Sequence, residues 1–201
     1  MSKKAVSYII LFAVIFGGFY AFLYATIDHN KSRLPVLSDV RPFSFTRQDG
    51  QAVSEKDIKG KVTVVEFFFT TCPGICPKMN TNMRTVYAKF KDEHNFLILS
   101  HTVDPANDTV ARLKVYADSL GANIKNWWFV TGSKDKLYKA ARESYILDDP
   151  KNNVIDIKDQ FLHTQFFALV DKNQRVRGIY DGLKKSDMEK LNTDITDLLK
   201  E

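Results

Sequence analysis

The stretch VTVVEFFF (residues 62–69) is apolar except for Glu66, and the segment TTCPGICP (residues 70–77) follows it directly. A continuous β-branched and aromatic run of this length predicts a central β-strand that is covered on both faces. The apolar side chains that follow at helical spacing predict a helix from about Ile75 to Glu93. A buried strand that leads straight into a helix is typical of an α/β sheet.

The segment 70–77 holds both cysteines of the chain, Cys72 and Cys76, in a Cys-x-x-x-Cys pair. At the start of a helix this spacing puts the two sulfurs at positions i and i+4, on one face of the first turn. The unpaired N–H groups and the positive dipole end there favour the thiolate, which attacks disulfides and binds metals. The pair therefore indicates a redox site, a metal site or both. Two buried structural cysteines are the alternative.

A metal bound by two thiolates has room for another donor. A soft ion such as Cu(I) accepts a third ligand, and imidazole suits either oxidation state of copper. Among the four histidines, His29 and His94 lie in polar surroundings, and His101 falls within a predicted strand, either in the core or at an edge. His163 directly precedes a predicted strand over 165–170. In a thioredoxin-like sheet the loop that enters this strand passes beside the cysteine-bearing helix, so we expect His163 to face the thiols.

The alternation of strands and helices continues along the rest of the chain. A hairpin signal surrounds Asp49-Gly50, strands are predicted over 95–103 and 127–131, and helices over 110–120 and 133–145. A second hairpin over 165–180 and a final helix complete the chain. This order predicts an α/β fold, a thioredoxin-like sandwich around a mixed sheet with an N-terminal hairpin.

The N-terminal segment from Ala5 to Ile27 carries no charge. As a helix it would extend over about 34 Å, enough to cross a hydrocarbon core of about 30 Å. Residues 1–27 therefore predict a single transmembrane anchor, with a cleaved signal peptide as the alternative. Residues 28–40 are predicted to form a tether, and residues 41–201 are predicted to form one domain. We expect this domain on the periplasmic or extracytoplasmic side of the inner membrane.

The overall charge of the chain argues against one class of partner. The formal net charge is +5 over 201 residues, and basic residues alternate with acidic ones along the predicted helices. No basic block is interleaved with aromatic residues, so nothing favours nucleic-acid binding.

Several motifs of the chain carry a family resemblance. They are Gly60-Lys61, FFTTCPGICP (68–77), Val103-Asp104-Pro105 with Asp108-Thr109, WFVTG (128–132), and His163 ahead of ALVD (168–171). In this order they resemble the Sco/SenC family of copper-binding, thioredoxin-fold proteins of the bacterial or mitochondrial inner membrane. The resemblance covers roughly residues 41–200. It implies that Cys72, Cys76 and His163 bind copper as Cu(I) and Cu(II). It also implies that the protein helps to assemble the binuclear copper site of cytochrome oxidase, with the copper-accepting oxidase subunit as its partner.

The chain departs from the family at two positions. The family commonly has Asp immediately before the ligand histidine, but this chain has Leu162, and Asp159 is the nearest upstream acid. A carboxylate in that place would orient the imidazole or supply a fourth Cu(II) ligand. His101 stands where the family usually has an apolar residue.

The sequence leaves a second function open beside copper delivery. A membrane-tethered thiol-disulfide reductase would use Cys72 and Cys76 as its redox pair, with His163 as a base or a bystander, and would keep the copper-ligand cysteines of a partner reduced. A peroxiredoxin-like peroxidase fits less well, because Phe69 stands where that class has Thr, three residues before the attacking cysteine.

Overall fold

The computed structural model describes residues 2–26, 34–148, 162 and 164–201. The chain divides into an N-terminal unit and a larger domain that ends at Lys200. The N-terminal unit contains helix α1 (Lys3–Thr26). Within it, residues Lys4–Tyr24 have a mean hydropathy of 2.2, and among the described helices this is the one long and apolar enough to cross a membrane. The predicted apolar helix is therefore confirmed.

The domain alternates strands and helices as the sequence predicts. Its elements, in chain order, are β1 (Ser38–Asp39), β2 (Ser44–Arg47), β3 (Ala52–Ser54), α2 (Glu55–Ile58), β4 (Val62–Phe68), α3 (Cys76–Phe90), β5 (Phe96–Thr102), α4 (Val110–Leu120), β6 (Trp127–Thr131), α5 (Lys134–Lys139), a π-helical segment (Ala140–Ser144), β7 (Phe166–Val170), β8 (Arg175–Asp181) and α6 (Lys185–Lys200). Helix α4 ends at Gly121, whose φ of 70° is a backbone conformation that glycine adopts without strain.

The strands form one mixed sheet in the order β1-β8-β7-β4-β5-β6-β2-β3. Strands β4, β5 and β6 run parallel, and β7 pairs antiparallel with β4. The predicted N-terminal hairpin is β2–β3, which joins the sheet through β6. The central position of β4 explains its apolar sequence, since all seven of its residues are buried. The predicted mixed-sheet α/β fold is confirmed.

Two apolar clusters cover the two faces of the sheet. Val64 and Phe68 of β4 pack in the cluster that includes residues of α3, α4 and α6. Val65 and Phe67 pack in the other cluster, which includes residues of α5. Because neighbouring strand residues point to opposite faces, β4 contributes to both clusters, and the two together form the predicted sandwich.

The structure differs from the sequence prediction at two places in the domain. Residues 34–40, predicted as part of the tether, lie against β8, where the Leu37 N–H donates to the Val176 carbonyl at 2.8 Å. The helix predicted from Ser133 to Tyr145 changes after Lys139 into a π-helical segment. The residue pattern of the two segments predicts neither feature. The pairing of residues 34–40 depends on the distant strand β8, and the π-helical segment depends on local backbone geometry.

His101 lies in the interior of the domain rather than at an edge. Its side chain is fully buried, and neither ring nitrogen has a hydrogen-bond partner among the described residues. The ring stacks on Phe67 with centroids 4.7 Å apart and meets Phe45 and Tyr145 at 5.3 Å. Burial lowers the pKa of His101 to about 3. His101 is therefore a neutral aromatic core residue, which resolves the two positions that the sequence left open.

We expect His101→Phe to make the domain more resistant to acid. The pKa of His101 is about 3 in the folded state against 6.5 for the unperturbed side chain, so the unfolded chain binds one more proton between these values. As the pH falls through this window, the wild type loses about 1.4 kcal/mol of unfolding free energy per pH unit from this group. The variant lacks this loss. Urea unfolding of both proteins near pH 7 and near pH 5 measures it.

The titration of Glu66 changes the unfolding free energy with pH in the opposite direction. The wild type must therefore be compared with His101→Phe at each pH. Its pKa is raised from 4.5 to about 7, so the folded state binds the extra proton there and stability falls as the pH rises through that window. This contribution is common to the wild type and the variant and cancels in the difference. An equal loss of stability in both proteins on acidification would contradict the role of His101.

Candidate metal centre

The two cysteines lie on either side of the start of α3. Cys76 is the first residue of the helix and Pro77 follows it, whereas Cys72 lies in the turn between β4 and the helix. The sequence prediction placed both sulfurs within the first helical turn, and this is wrong for Cys72. The helix begins late because Pro73 and Gly74 disfavour helical backbone just before it. The two thiols nevertheless lie close enough to hydrogen-bond to each other.

Cys72 is the more acidic and more accessible thiol of the pair. It is half-buried, and this partial burial by itself raises the pKa of Cys72. Hydrogen bonds from the Cys76 thiol and from the backbone N–H groups of Gly74, Ile75 and Cys76 outweigh this effect. The pKa of Cys72 consequently lies below its ordinary value, because these donors stabilise the thiolate.

Cys76 has the opposite properties. Its side chain is buried, with 4% exposure, and burial raises the pKa of Cys76 to about 12. The hydrogen bond with Cys72 and the negative charges of Cys72 and Glu66 contribute to this increase after burial. A more accessible, more acidic thiol next to a buried one is an arrangement that can attack a disulfide through Cys72, or hold a soft metal ion once Cys76 has also lost its proton.

Asp108 fixes the turn that leads to Cys72. Its fully buried carboxylate accepts hydrogen bonds from the Thr70 N–H at 3.2 Å and from the hydroxyl of Thr102 at 2.5 Å. The hydroxyl of Thr70 also donates to it, and the Arg112 Nε lies 3.9 Å from its second oxygen. The sequence analysis did not predict this contact, because Asp108 and Thr70 are 38 residues apart in the chain. Asp108 holds the cysteine turn against the end of β5.

A narrow cleft lies between the two cysteines and the residues Leu162 and Thr164. Its volume is about 10 Å³, room for one small occupant of the size of a water molecule or an ion. The lining is mostly apolar and consists of Phe67, Phe68, Phe69, Cys72, Ile75, Cys76, Val103, Leu162 and Thr164. The cleft therefore has room for a single ion beside the two sulfurs.

His163, the predicted third ligand, lies outside the described residues, and so does Asp159. The residues on either side of His163, Leu162 and Thr164, both line the cleft together with Cys72 and Cys76. Within the described part of the chain, no group of three His, Cys, Asp or Glu residues converges on one point. The described residues therefore bring together two of the three predicted ligands.

Leu162, the described residue directly before His163, is held by packing and by one hydrogen bond. Its side chain is buried with 5% exposure and packs in the apolar cluster of β4 and α5. Its backbone N–H donates to the hydroxyl of Tyr138 at 3.1 Å. The chain is thus anchored at this position by apolar packing and one backbone hydrogen bond.

Glu66 is a residue near the site that the sequence interpretation missed. It is fully buried on the same face of the sheet as Cys76, and it accepts a hydrogen bond from Ser100 at 2.6 Å. Burial raises the pKa of Glu66 to about 7. Its second carboxylate oxygen has no partner among the described residues. The one available signal was a single charge inside an otherwise apolar strand, and a buried carboxylate of this kind is a frequent feature of functional sites.

Comparison with known proteins identifies relatives of this chain. A family model described as SCO1/SenC matches residues 35–200. The SCO1 protein homolog of Bacillus subtilis is 33% identical over 165 residues, which are 80% of this chain and 83% of the relative. The family model matches residues 35–200, which include Cys72, Cys76 and His163.

Solved structures share the fold. The structure of BsSco, described as a member of the Sco family of cytochrome c oxidase assembly proteins with a disulfide switch, is 31% identical with a TM-score of 0.70 and covers 84% of this chain and 98% of its own. ScoI of Bradyrhizobium japonicum, solved with copper bound, is 24% identical with a TM-score of 0.62 and covers 80% of this chain and 99% of its own. At that identity the second similarity shows the common fold.

Proposed function

Since this chain belongs to the SCO1/SenC family, we propose that it is a copper-binding assembly protein that delivers copper to a respiratory oxidase. The observation that carries the proposal is the cleft in which Cys72 and Cys76 meet the two neighbours of His163. In this proposal Cys72, Cys76 and His163 are the ligands of one copper ion. The recipient is the copper-accepting subunit of cytochrome c oxidase.

The donor set fits copper. Thiolate sulfur is the preferred donor of Cu(I), and an added imidazole nitrogen suits Cu(II) as well. The apolar lining around the sulfurs limits water access and disfavours hard ions such as Mg²⁺ and Ca²⁺, which prefer oxygen ligands. Binding requires that the buried Cys76 release its proton, so copper affinity rises with pH until both thiols are ionised.

The geometry also provides a route for copper delivery. Cys72 is the more accessible ligand and Cys76 the buried one, so a thiolate of the partner reaches the ion from the side of Cys72. Exchange of one sulfur ligand for another then passes the ion on without releasing it to water. The exposed turn residues Thr71, Pro73 and Gly74 leave this side open to a partner.

A thiol-disulfide reductase is the second candidate function, and the unequal pKa values of the two thiols favour it specifically. The Cys72 thiolate would attack a disulfide of the partner, and Cys76 would then attack the Cys72 sulfur and release the partner as a dithiol. This chain would leave the reaction as the Cys72–Cys76 disulfide. Either function fits a protein held at the membrane by α1, with residues 1–27 as the anchor and the domain on the extracytoplasmic side.

Copper titration of the reduced and the oxidised protein separates the two functions. We expect the reduced protein to bind one Cu(I) per chain tightly and the disulfide form to lose this binding, because oxidation removes both sulfur donors. Competition with a chromophoric Cu(I) chelator measures the affinity. Weak Cu(I) binding by the reduced protein, together with rapid turnover of a disulfide substrate, would support the reductase instead.

A further inference from the structure

Arg112, in the first turn of α4, lies beside the turn that leads to Cys72. Its Nε–H donates to the hydroxyl of Thr70 at 2.7 Å. Thr70 is held in turn by the buried carboxylate of Asp108, so the Arg112 guanidinium is fixed next to the cysteine turn. The Arg112 side chain is 48% exposed. The structure thus places a solvent-accessible cation at the open side of the site.

The outer nitrogens of this guanidinium are available to a partner. Among the described residues, the one acid within ion-pair distance is Asp108, whose Oδ1 lies 3.9 Å from Arg112 Nε. Neither Nη of Arg112 has a hydrogen-bond partner in the described part of the chain. Asp104, the other acid of the loop before α4, is half-buried and accepts a hydrogen bond from Asn107 at 2.8 Å. A guanidinium with free Nη groups can bind a carboxylate through two parallel hydrogen bonds.

The chain that continues from the cysteine turn into α3 is also basic. Residues 67–91 contain no Asp or Glu. Lys78, two positions after Cys76, is exposed and forms no ion pair with another described residue. The positive end of the dipole of α3 lies at the same turn. The exposed charges that accompany the cysteine turn, Arg112 at its beginning and Lys78 just after its end, are therefore positive.

We propose that Arg112 and Lys78 form a recognition site for an acidic segment of the partner, which presents an Asp or Glu carboxylate close to its own reacting cysteine. The proposal rests on the proposed function, in which a sulfur of the partner approaches Cys72, and it applies to copper delivery and to disulfide reduction alike. Arg112 supplies the directed contact, and Lys78 adds attraction at longer range. Opposite charges raise the rate of encounter more than the final affinity, so the effect is measured as a rate.

The test follows the reaction of the reduced full chain, in micelles of a neutral detergent, with three synthetic peptides. Each peptide carries one cysteine as a 2-pyridyl disulfide, flanked on both sides by Asp, by Asn or by Lys. The Cys72 thiolate attacks the peptide sulfur, a Cys72–peptide disulfide forms, and pyridine-2-thione leaves and is measured by its absorbance. No copper takes part in this step, so the result does not depend on the identity of the metal.

The rate with each peptide is compared between the wild type and a variant, so the intrinsic reactivity of the peptide cancels. We expect Arg112→Gln to slow the reaction of the Asp-flanked peptide about threefold, the usual scale of one exposed ion pair. It should leave the Asn-flanked peptide unchanged and speed the Lys-flanked one. Adding Lys78→Gln should bring the loss with the Asp-flanked peptide to about tenfold. High salt should bring these ratios close to one, because it screens exposed charges.

Lys114→Gln is the matched control. It removes another exposed cation from α4, but Lys114 is paired with Asp118 at 3.2 Å within the same helix. We expect wild-type rates with all three peptides. Equal slowing of all three peptides by Arg112→Gln would mean that Arg112 only holds the cysteine turn through Thr70, and the recognition role would be wrong. Unchanged rates with the Asp-flanked peptide in Arg112→Gln and in the double variant would also overturn it.

The outcomes separate this proposal from the proposed function. If the reduced protein binds Cu(I) tightly but shows no preference for the Asp-flanked peptide, the recognition site is wrong and the copper function stands. If Cu(I) binding is weak while the preference and its dependence on Arg112 are present, the recognition site stands and serves the reductase.

Discussion

Cys76→Ser is expected to lower the Cu(I) affinity of the reduced protein by more than about a hundredfold. Loss of a residue that only orients a metal ligand costs about tenfold to a hundredfold in affinity, and loss of a ligand itself costs more. The substitution removes one of two soft donors and leaves a hydroxyl, which binds Cu(I) weakly. Among the described residues, no group of three His, Cys, Asp or Glu side chains forms an alternative site for the ion. Competition with a Cu(I) chelator measures the affinity.

The same variant also abolishes the redox pair, so the copper result must be separated from a folding defect. Serine is slightly smaller than cysteine and fits the buried position, and far-UV circular dichroism checks that the domain remains folded. Lys78→Ala, two residues further along the same helix and exposed, is the control and should bind Cu(I) like the wild type. Wild-type Cu(I) affinity in Cys76→Ser would show that copper is held elsewhere.

His163→Ala is expected to weaken Cu(II) binding by at least about a hundredfold and Cu(I) binding much less. Two thiolates still hold the soft Cu(I) ion, whereas Cu(II) needs a nitrogen donor and a fuller coordination shell. The charge-transfer absorption of the Cu(II)–thiolate site should shift or disappear, while the fold and the Cys72–Cys76 disulfide couple stay nearly intact. Isothermal titration and visible spectroscopy of the two metal forms measure both effects.

The control for this variant follows from the positions of the other histidines. His101 is unsuitable, because it is buried among aromatic rings and its removal leaves a cavity in the core. His94 is exposed after α3, so His94→Ala tests a histidine without affecting the core. Suppose His163→Ala keeps its Cu(II) affinity and spectrum and loses only its rate of disulfide exchange. The copper-ligand assignment would then be wrong, and the reductase would be the better description.

Local pattern alone determined much about this protein. The apolar run over 62–69 predicted β4, and the spacing of Cys72 and Cys76 after it predicted a thiol site at the start of a helix. The alternation of strands and helices and the uncharged N-terminal segment predicted the mixed sheet and α1. These features depend on periodicity and on residues close together in the chain, so a single sequence contains them.

The properties that only the tertiary structure decided all depend on contacts between distant residues. The order of strands in the sheet brings Asp108 to Thr70, Glu66 to the side of Cys76, and Tyr138 to Leu162. Burial then makes the two thiols unequal, because it raises the pKa of Cys76 while backbone N–H groups lower that of Cys72. Desolvation and hydrogen bonding depend on the groups that pack around a side chain, so they cannot be inferred from residue spacing along the chain.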